Sequence, residues 1–245
     1  MIIIEKYLKE SLKLAIENSV WKKEGKPDKV RKFDESLDLI VNLKDIDIKN
    51  PNNKLDWEFL LPNPIHNDKL KICILGDKDI ILEAKERNID AYDTIYLEEL
   101  NKKDNKAKKQ FVKKYDVFIC QSTIMKNVAK VLGRPLGQAG LMPKPQPKGY
   151  GIISPEAKIA SFIDNFKKLV KIQTKKSPII QTIFGKKSLD FDKNFENLIA
   201  VINFIESKLP NGNNNIESIY LKTTMGKPVK VKEPVEKSKG GRRKK

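Results

Sequence analysis

Thiols and imidazoles are nearly absent from this chain. Its 245 residues include two cysteines, Cys73 and Cys120, and one histidine, His66. A zinc site would have to draw most of its ligands from carboxylates, which argues against one. Each cysteine stands in or at the end of a short apolar run, Ile72-Cys73-Ile74-Leu75 or Val117-Phe118-Ile119-Cys120. That is the pattern of buried, reduced thiols, not of a disulfide framework. Long hydrophobic runs are missing too. No segment approaches the roughly 20 apolar residues of a membrane span. Residues 1–4 lose their hydrophobicity at Glu5, too soon for a secretory signal. The expected setting is therefore the cytoplasm.

Positive charge is what the chain has in excess. Lys and Arg number 49 against 32 Asp and Glu, a net charge of +17. A protein this basic meets a polyanion, with RNA, DNA and an anionic membrane surface as candidates. Lysine far outnumbers arginine, and Asn and Ile are abundant, so part of the excess reflects compositional bias. Hydrophobic residues make up 39%, a lean supply for one large domain or two small ones.

Patterning divides the chain. Ile4, Leu8, Leu12, Ala15 and Ile16 mark an amphipathic helix over 4–19. A basic, polar connector with Gly25 and Pro27 comes next. Leu37, Leu39, Val41 and Leu43 then alternate with Ser36, Asp38, Asn42 and Lys44, which predicts a half-buried strand. Trp57, Phe59 and Leu61 alternate likewise. After Pro62-Asn63-Pro64 the texture changes to buried strands (70–75 and 116–120) among helices at 78–88, 97–114 and 124–132. This alternation predicts a small three-layer parallel sheet, closed by a Gly- and Pro-rich segment over 132–147. Beyond Tyr150 come a helix (155–168), strands (169–174 and 178–184), a helix (192–208) with Phe195, Leu198, Ile199, Ile202, Ile205 and Leu209 on its apolar face, and a last strand.

The expected fold is thus α/β with two domains. An outer α+β sandwich is made from both chain ends, residues 1–62 plus 150–231. A Rossmann-like three-layer domain, 65–147, is inserted between prolyl hinges. The stretch 227–245 has nine basic and two acidic residues, and disorder is expected there, above all over 232–245.

The segment with the most chemical content is the end of the last strand. Ile216, Tyr220 and Leu221 lead into Thr223-Thr224-Met225-Gly226, flanked by Lys222 and Lys227. With no carboxylate, histidine or thiol, this is a poor hydrolase site. It suits RNA: hydroxyls reach phosphates or 2′-OH groups, Met225 lies against sugar, and Gly226 admits a close backbone. The plain alternative is a strand end with a turn glycine.

Three separated segments carry a resemblance. They are Lys32-Phe33-Asp34-Glu35-Ser36 with its strand, the glycine-proline segment 132–143, and Thr223-Thr224-Met225-Gly226. In this order the chain, over about 4–231, resembles the L-one family of large-subunit ribosomal proteins (L-ten-a in eukaryotes), with spacing closer to archaeal members. The resemblance implies a protein that is not an enzyme and needs no cofactor or metal. It implies binding to large-subunit rRNA at the mobile stalk beside the tRNA exit site, contact with exit-site tRNA, repression of its own mRNA, and a monomer when free. Carried over residue by residue, the RNA contacts fall on Lys32, Phe33, Glu35, Ser36, Ser218, Thr224, Met225 and Gly226. The family often has threonine at Ser36. It usually reads Leu-Gly-Pro-Arg-Gly where this chain has Leu136-Gly137-Gln138-Ala139-Gly140, so a basic residue is absent there.

From the residues themselves, Phe33 either stacks on a base or packs as a staple on the first helix. Glu35 either accepts from a sugar hydroxyl or guanine edge, or pairs with Lys32. Gly226 either keeps side-chain bulk off the RNA backbone or is a plain turn glycine that tolerates alanine at little cost. The rival classes are a nucleotide- or Mg²⁺-binding enzyme on the inserted domain and a nonspecific polyanion binder. Gly133, Gly137 and Gly140 fit neither the dinucleotide fingerprint nor a P-loop. Asp77 and Asp79 could hold a metal or, more simply, begin the next helix.

Overall fold

The computed structural model describes the chain except residues 1, 24, 25, 30, 51, 52, 67–69, 156–158 and 232–245. The basic tail expected over 232–245 lies outside the described residues. Numbered along the chain, the elements begin with α1 (Ile2–Glu17), β1 (Trp21–Lys23), β2 (Lys26–Lys29), β3 (Ser36–Leu43) and β4 (Asp56–Leu60). They continue with β5 (Ile72–Leu75), α2 (Lys78–Glu86), β6 (Asp90–Tyr92), α3 (Thr94–Lys102), α4 (Asn105–Val112) and β7 (Val117–Gln121). Next are α5 (Met125–Ala139), β8 (Ile152–Ile153), α6 (Ile159–Phe166) and β9 (Leu169–Gln173). The last are β10 (Ile179–Lys186), α7 (Phe191–Lys208), β11 (Ile216–Thr223) and β12 (Val229–Lys230). The fold is α/β with two compact units: Met1–Leu55 with Ile172–Lys245, and Asp56–Lys171.

The first unit is built on an antiparallel sheet in the order β10-β3-β11-β12. β3 alternates strictly, with Leu37, Leu39, Val41 and Leu43 buried, because one face of the sheet carries helices. α1 packs on β11 and α7 on β10. Leu8, Leu12 and Ala15 from α1 join Leu198, Val201 and Ile205 from α7 in that core.

The buried face of α7 also holds Asn194 and Asn197, each 0% exposed. The sequence pattern put only apolar residues there. The register of β10 against β3 shifts between Ile183 and Gly185, and such a bulge leaves ladder groups without partners. Asn197 serves the bulge, and Asn194 serves the strand end and the turn after it. Asn197 Nδ2 donates to the Phe184 carbonyl (3.0 Å), and Asn194 Nδ2 to the carbonyls of Lys186 and Leu189 (2.9 Å each). Lys186 N–H donates to Asn194 Oδ1 (3.2 Å). A methyl group on Gly185 would overlap that same oxygen.

Two further features of this unit are absent from the sequence pattern. Within the basic connector β1 and β2 pair as antiparallel strands. The start of the expected tail supplies β12, whose Val229 and Lys230 pair with Leu221 and Tyr220.

The second unit has a parallel sheet in the order β6-β5-β7-β8. β5 is buried throughout (Ile72, Cys73, Ile74, Leu75), as a strand covered on both faces should be. Cys73 and Cys120 sit with Leu75, Leu97, Phe111, Phe118, Val128 and Leu132 in the core on one side. Ile74, Ile80, Ile119, Ile153, Ile159 and Phe166 fill the other. Two short parallel strands, β6 and β8, complete the sheet. The sequence pattern groups 150–171 with the chain ends, whereas here β8 pairs with β7 and α6 packs on α2.

Helix boundaries differ as well. The expected helix over 97–114 is two, α3 and α4, parted at Lys103 and Asp104. The Gly- and Pro-rich segment does not open into a loop at Leu132. α5 runs through Gly133, Pro135 and Gly137 and ends at Gly140, whose φ of 69° lies in the left-handed region that favours glycine. The buried stripe Val128, Val131, Leu132, Pro135, Leu136 keeps helical period throughout. Asp77 stands at the N-cap of α2. Its carboxylate accepts from Thr123 Oγ1 (3.0 Å), and its N–H donates to Gln121 Oε1 (2.7 Å). Among the described residues no group of three or more His, Cys, Asp or Glu could hold a metal ion. No described helix is long and apolar enough to cross a membrane.

Candidate nucleic-acid interface

The predicted site residues other than Ser218 lie at one end of the first unit. β3 begins there and β11 ends there, because the two strands are antiparallel neighbours in register from Thr223 opposite Leu37 to Ser218 opposite Asn42, beyond which the register shifts and Ile216 stands opposite Leu43. Pairing continues one step past the ladder. Thr224 N–H donates to the Ser36 carbonyl (3.0 Å) and Ser36 N–H donates to Thr224 Oγ1 (3.1 Å). The threonine hydroxyl also lies 3.3 Å from the Ser36 carbonyl. It is therefore committed to the strand end and does not stand free.

Glu35 comes next. It is 0% exposed. Its Oε1 accepts the Met225 N–H (3.1 Å), and its carbonyl accepts the Lys187 N–H (2.8 Å). Neither sequence alternative describes it, since both placed the carboxylate at the surface. Its Oε2 is buried with no hydrogen-bond partner, as are Thr223 Oγ1 and Arg31 Nε.

Gly226 is required for space, not for a left-handed φ. A methyl group on it would overlap Thr223 Oγ1 and approach the Asn18 carbonyl to 3.3 Å. So the plain-turn alternative, in which alanine costs little, does not hold. The crowding comes from the protein itself and needs no RNA.

What stands out from this floor is apolar and basic. Phe33 is 52% exposed and Met225 58%. A staple packed on α1 would have covered Phe33. Lys32 and Lys227 are exposed nearby in sequence. Glu17, Ser19, Arg31, Met225 and Lys227 line an open groove of ≈ 380 Å³. The β10–α7 turn adds basic residues that the sequence pattern did not single out. Lys187 Nζ donates to Ser19 Oγ (2.8 Å), and Lys186 Nζ lies 3.9 Å from Asp34. Asp34 in turn accepts from Ser188 N–H (3.0 Å) and Ser188 Oγ (2.7 Å). Lys186-Lys187-Ser188 is visible in the sequence, but nothing local ties it to Glu35.

Ser218 lies apart from this end. It pairs in register with Asn42 and accepts from Asn42 Nδ2 (2.9 Å). Six residues separate it from Thr224, about 20 Å of strand. Strand alternation nevertheless puts Ser218 with Tyr220 and Lys222 on the face opposite the helices, together with Ser36, Asp38, Ile40 and Asn42 of β3. Burial raises the pKa of Asp38 on that face, although Lys222 opposite it pulls the other way.

Comparison with known proteins gives the family. A model of the ribosomal protein L1p/L10e family matches residues 22–227. The chain is 40% identical over 209 residues to the large ribosomal subunit protein uL1 of Thermoplasma acidophilum, covering 84% of this chain and 91% of that one. It is 36% identical over 211 residues to the protein of the same name from Methanothermobacter thermautotrophicus, covering 86% and 95%. With the one from Thermofilum pendens it shares 35% over 230 residues, covering 93% and 94%. All three relatives are archaeal, as the spacing of the motifs suggested, and their family is structural and not enzymatic. With its model matched over most of the length and three relatives above the level that marks common descent, this chain belongs to the ribosomal protein L1p/L10e family.

Proposed function

We propose that the chain is a structural component of the large ribosomal subunit in the cytoplasm that binds rRNA at the mobile stalk beside the tRNA exit site. The carrying observation is the junction of Ser36 with Thr224. It fixes a rigid edge from which Phe33 and Met225 project among Lys32, Lys186, Lys187 and Lys227. The exposed apolar groups lie against bases and sugars, and the lysines neutralise phosphates. A folded RNA junction fits such an edge by shape, so no bond is made or broken. The same reading extends to contact with exit-site tRNA, release of deacylated tRNA and repression of the chain's own mRNA, with the resemblance to the family as its support. The free protein is a monomer.

Competition binding tests the reading. A transcript of the large-subunit stalk junction should stay bound against a large excess of unrelated tRNA. Equal competition by both would leave only electrostatics, which alone gives affinity without selectivity. Met225→Ala should weaken the specific complex far more than loss of any one lysine of the 232–245 stretch. A single phosphate-contacting lysine should lower the salt slope by about one.

A further inference from the structure

We infer that Glu35 is a positioning residue: its buried carboxylate grips the Met225 amide and sets how Met225 stands out from the interface, without itself touching RNA. This rests on the rRNA-binding reading above. The β3–β11 ladder ends at the pair Leu37–Thr223, and the chain turns away over Thr224, Met225 and Gly226. Ser36 and Thr224 are the bonded pair at this end, so the next pair, Glu35 and Met225, is of the kind that exchanges no backbone bonds, and the Met225 N–H finds no carbonyl acceptor on β3. The backbone carbonyl of Glu35 is already taken, on its other side, by the Lys187 N–H. The side chain supplies the acceptor instead, with Oε1 3.1 Å from the Met225 nitrogen. One residue thus ties the ends of both β10 and β11 to the start of β3.

Burial separates this role from direct contact. Glu35 is 0% exposed and Oε2 is closed off from solvent, whereas Met225 directly above is 58% exposed. The bond needs an acceptor, not a charge. A second orphaned group, the Thr223 hydroxyl, lies on the same buried face of the strand pair. A glutamine has the same shape and keeps an oxygen to accept from the Met225 N–H, so the conservative exchange should preserve the turn.

The experiment uses the full chain, a stalk-junction transcript of large-subunit rRNA, and four variants: E35Q, E35A, M225A and E35A/M225A. Hydrogen exchange at the Met225 amide is followed in the free protein, and affinity and thermal midpoint are measured beside it. E35Q should keep the amide protected and bind within about twofold of the unaltered chain. E35A should expose the amide and weaken binding about tenfold, as expected for loss of a buried acceptor. In the M225A background, E35A should add less than about twofold.

The inference is overturned if E35Q binds as poorly as E35A while its Met225 amide stays protected, since the carboxylate would then be meeting RNA itself. It is equally overturned if E35A leaves the amide protected, or weakens M225A as much as it weakens the unaltered chain. Should the unaltered chain bind the stalk transcript no better than tRNA, the proposed function fails first and takes the role of Glu35 with it. The exchange data on free protein tell that failure apart from a missing Glu35–Met225 bond.

Discussion

Ser36 and Thr224, 188 positions apart in sequence, share hydrogen bonds through the threonine hydroxyl and both backbones. The hydroxyl is an internal fastener of the interface. Thr224→Val keeps the shape and removes the acceptor for Ser36 N–H. We expect a loss of about 1 kcal/mol in stability, the usual net worth of such a bond. A urea titration checks this. An unchanged midpoint would show that water replaces the hydroxyl at no cost.

Gly226 and Thr223 compete for one volume. Gly226→Ala should cost about 1–3 kcal/mol without any RNA present, as overpacking does. Thr223→Ala removes both the overlapping oxygen and its unmet hydrogen bond. The double variant should therefore be more stable than the sum of the single changes predicts. Strict additivity in thermal melts would place the Gly226 requirement elsewhere.

Asp38 gives a pH-dependent prediction. Burial holds its pKa above the ordinary value of 3.8, against the pull of Lys222. The folded state thus keeps the proton where the unfolded chain has lost it. Stability from this group is greatest in acid and falls as pH rises from 3.8 to the folded value, after which it stays low. Asp38→Asn should be stabilising around pH 7 and much less so around pH 3. Denaturation at both pH values checks the sign, and an equal effect at each would refute it.

The two thiols provide another. Burial pushes Cys73 well above the ordinary 9.0 and Cys120 up to about 12. Unfolded thiols ionise near 9.0 and folded ones do not, so rising pH favours the unfolded chain from there upward. At neutral pH the native protein should react with a thiol reagent only as fast as it opens. Rapid labelling of either cysteine would contradict the burial.

Period-two and unbroken apolar runs were legible from the sequence. Leu37, Leu39, Val41 and Leu43 mark β3, and Ile72 to Leu75 mark β5. What escaped detection depends on partners far away in the chain. Val229 and Lys230 form a strand only because β11 offers an edge. Asn194 and Asn197 are buried only because β10 bulges opposite them. α5 continues past Gly133 and Pro135 because Val131, Leu132, Pro135 and Leu136 bury a helical stripe, which outweighs local propensity. The site residues placed by motif come together at one end of the first unit, except Ser218, which pairs with Asn42 farther along the strands. Motif could not show that Glu35 points inward, since the groups that enclose it, Met225 and Lys187, are remote in sequence.

β3 lies at the middle of its sheet, and both flanking strands come from the last third of the polypeptide. During synthesis that strand must leave the exit tunnel with no neighbour and wait while the whole second unit is made. The edge where Ser36 meets Thr224 can close only once Gly226 has emerged. Products of premature termination upstream of that codon therefore lack the closed edge.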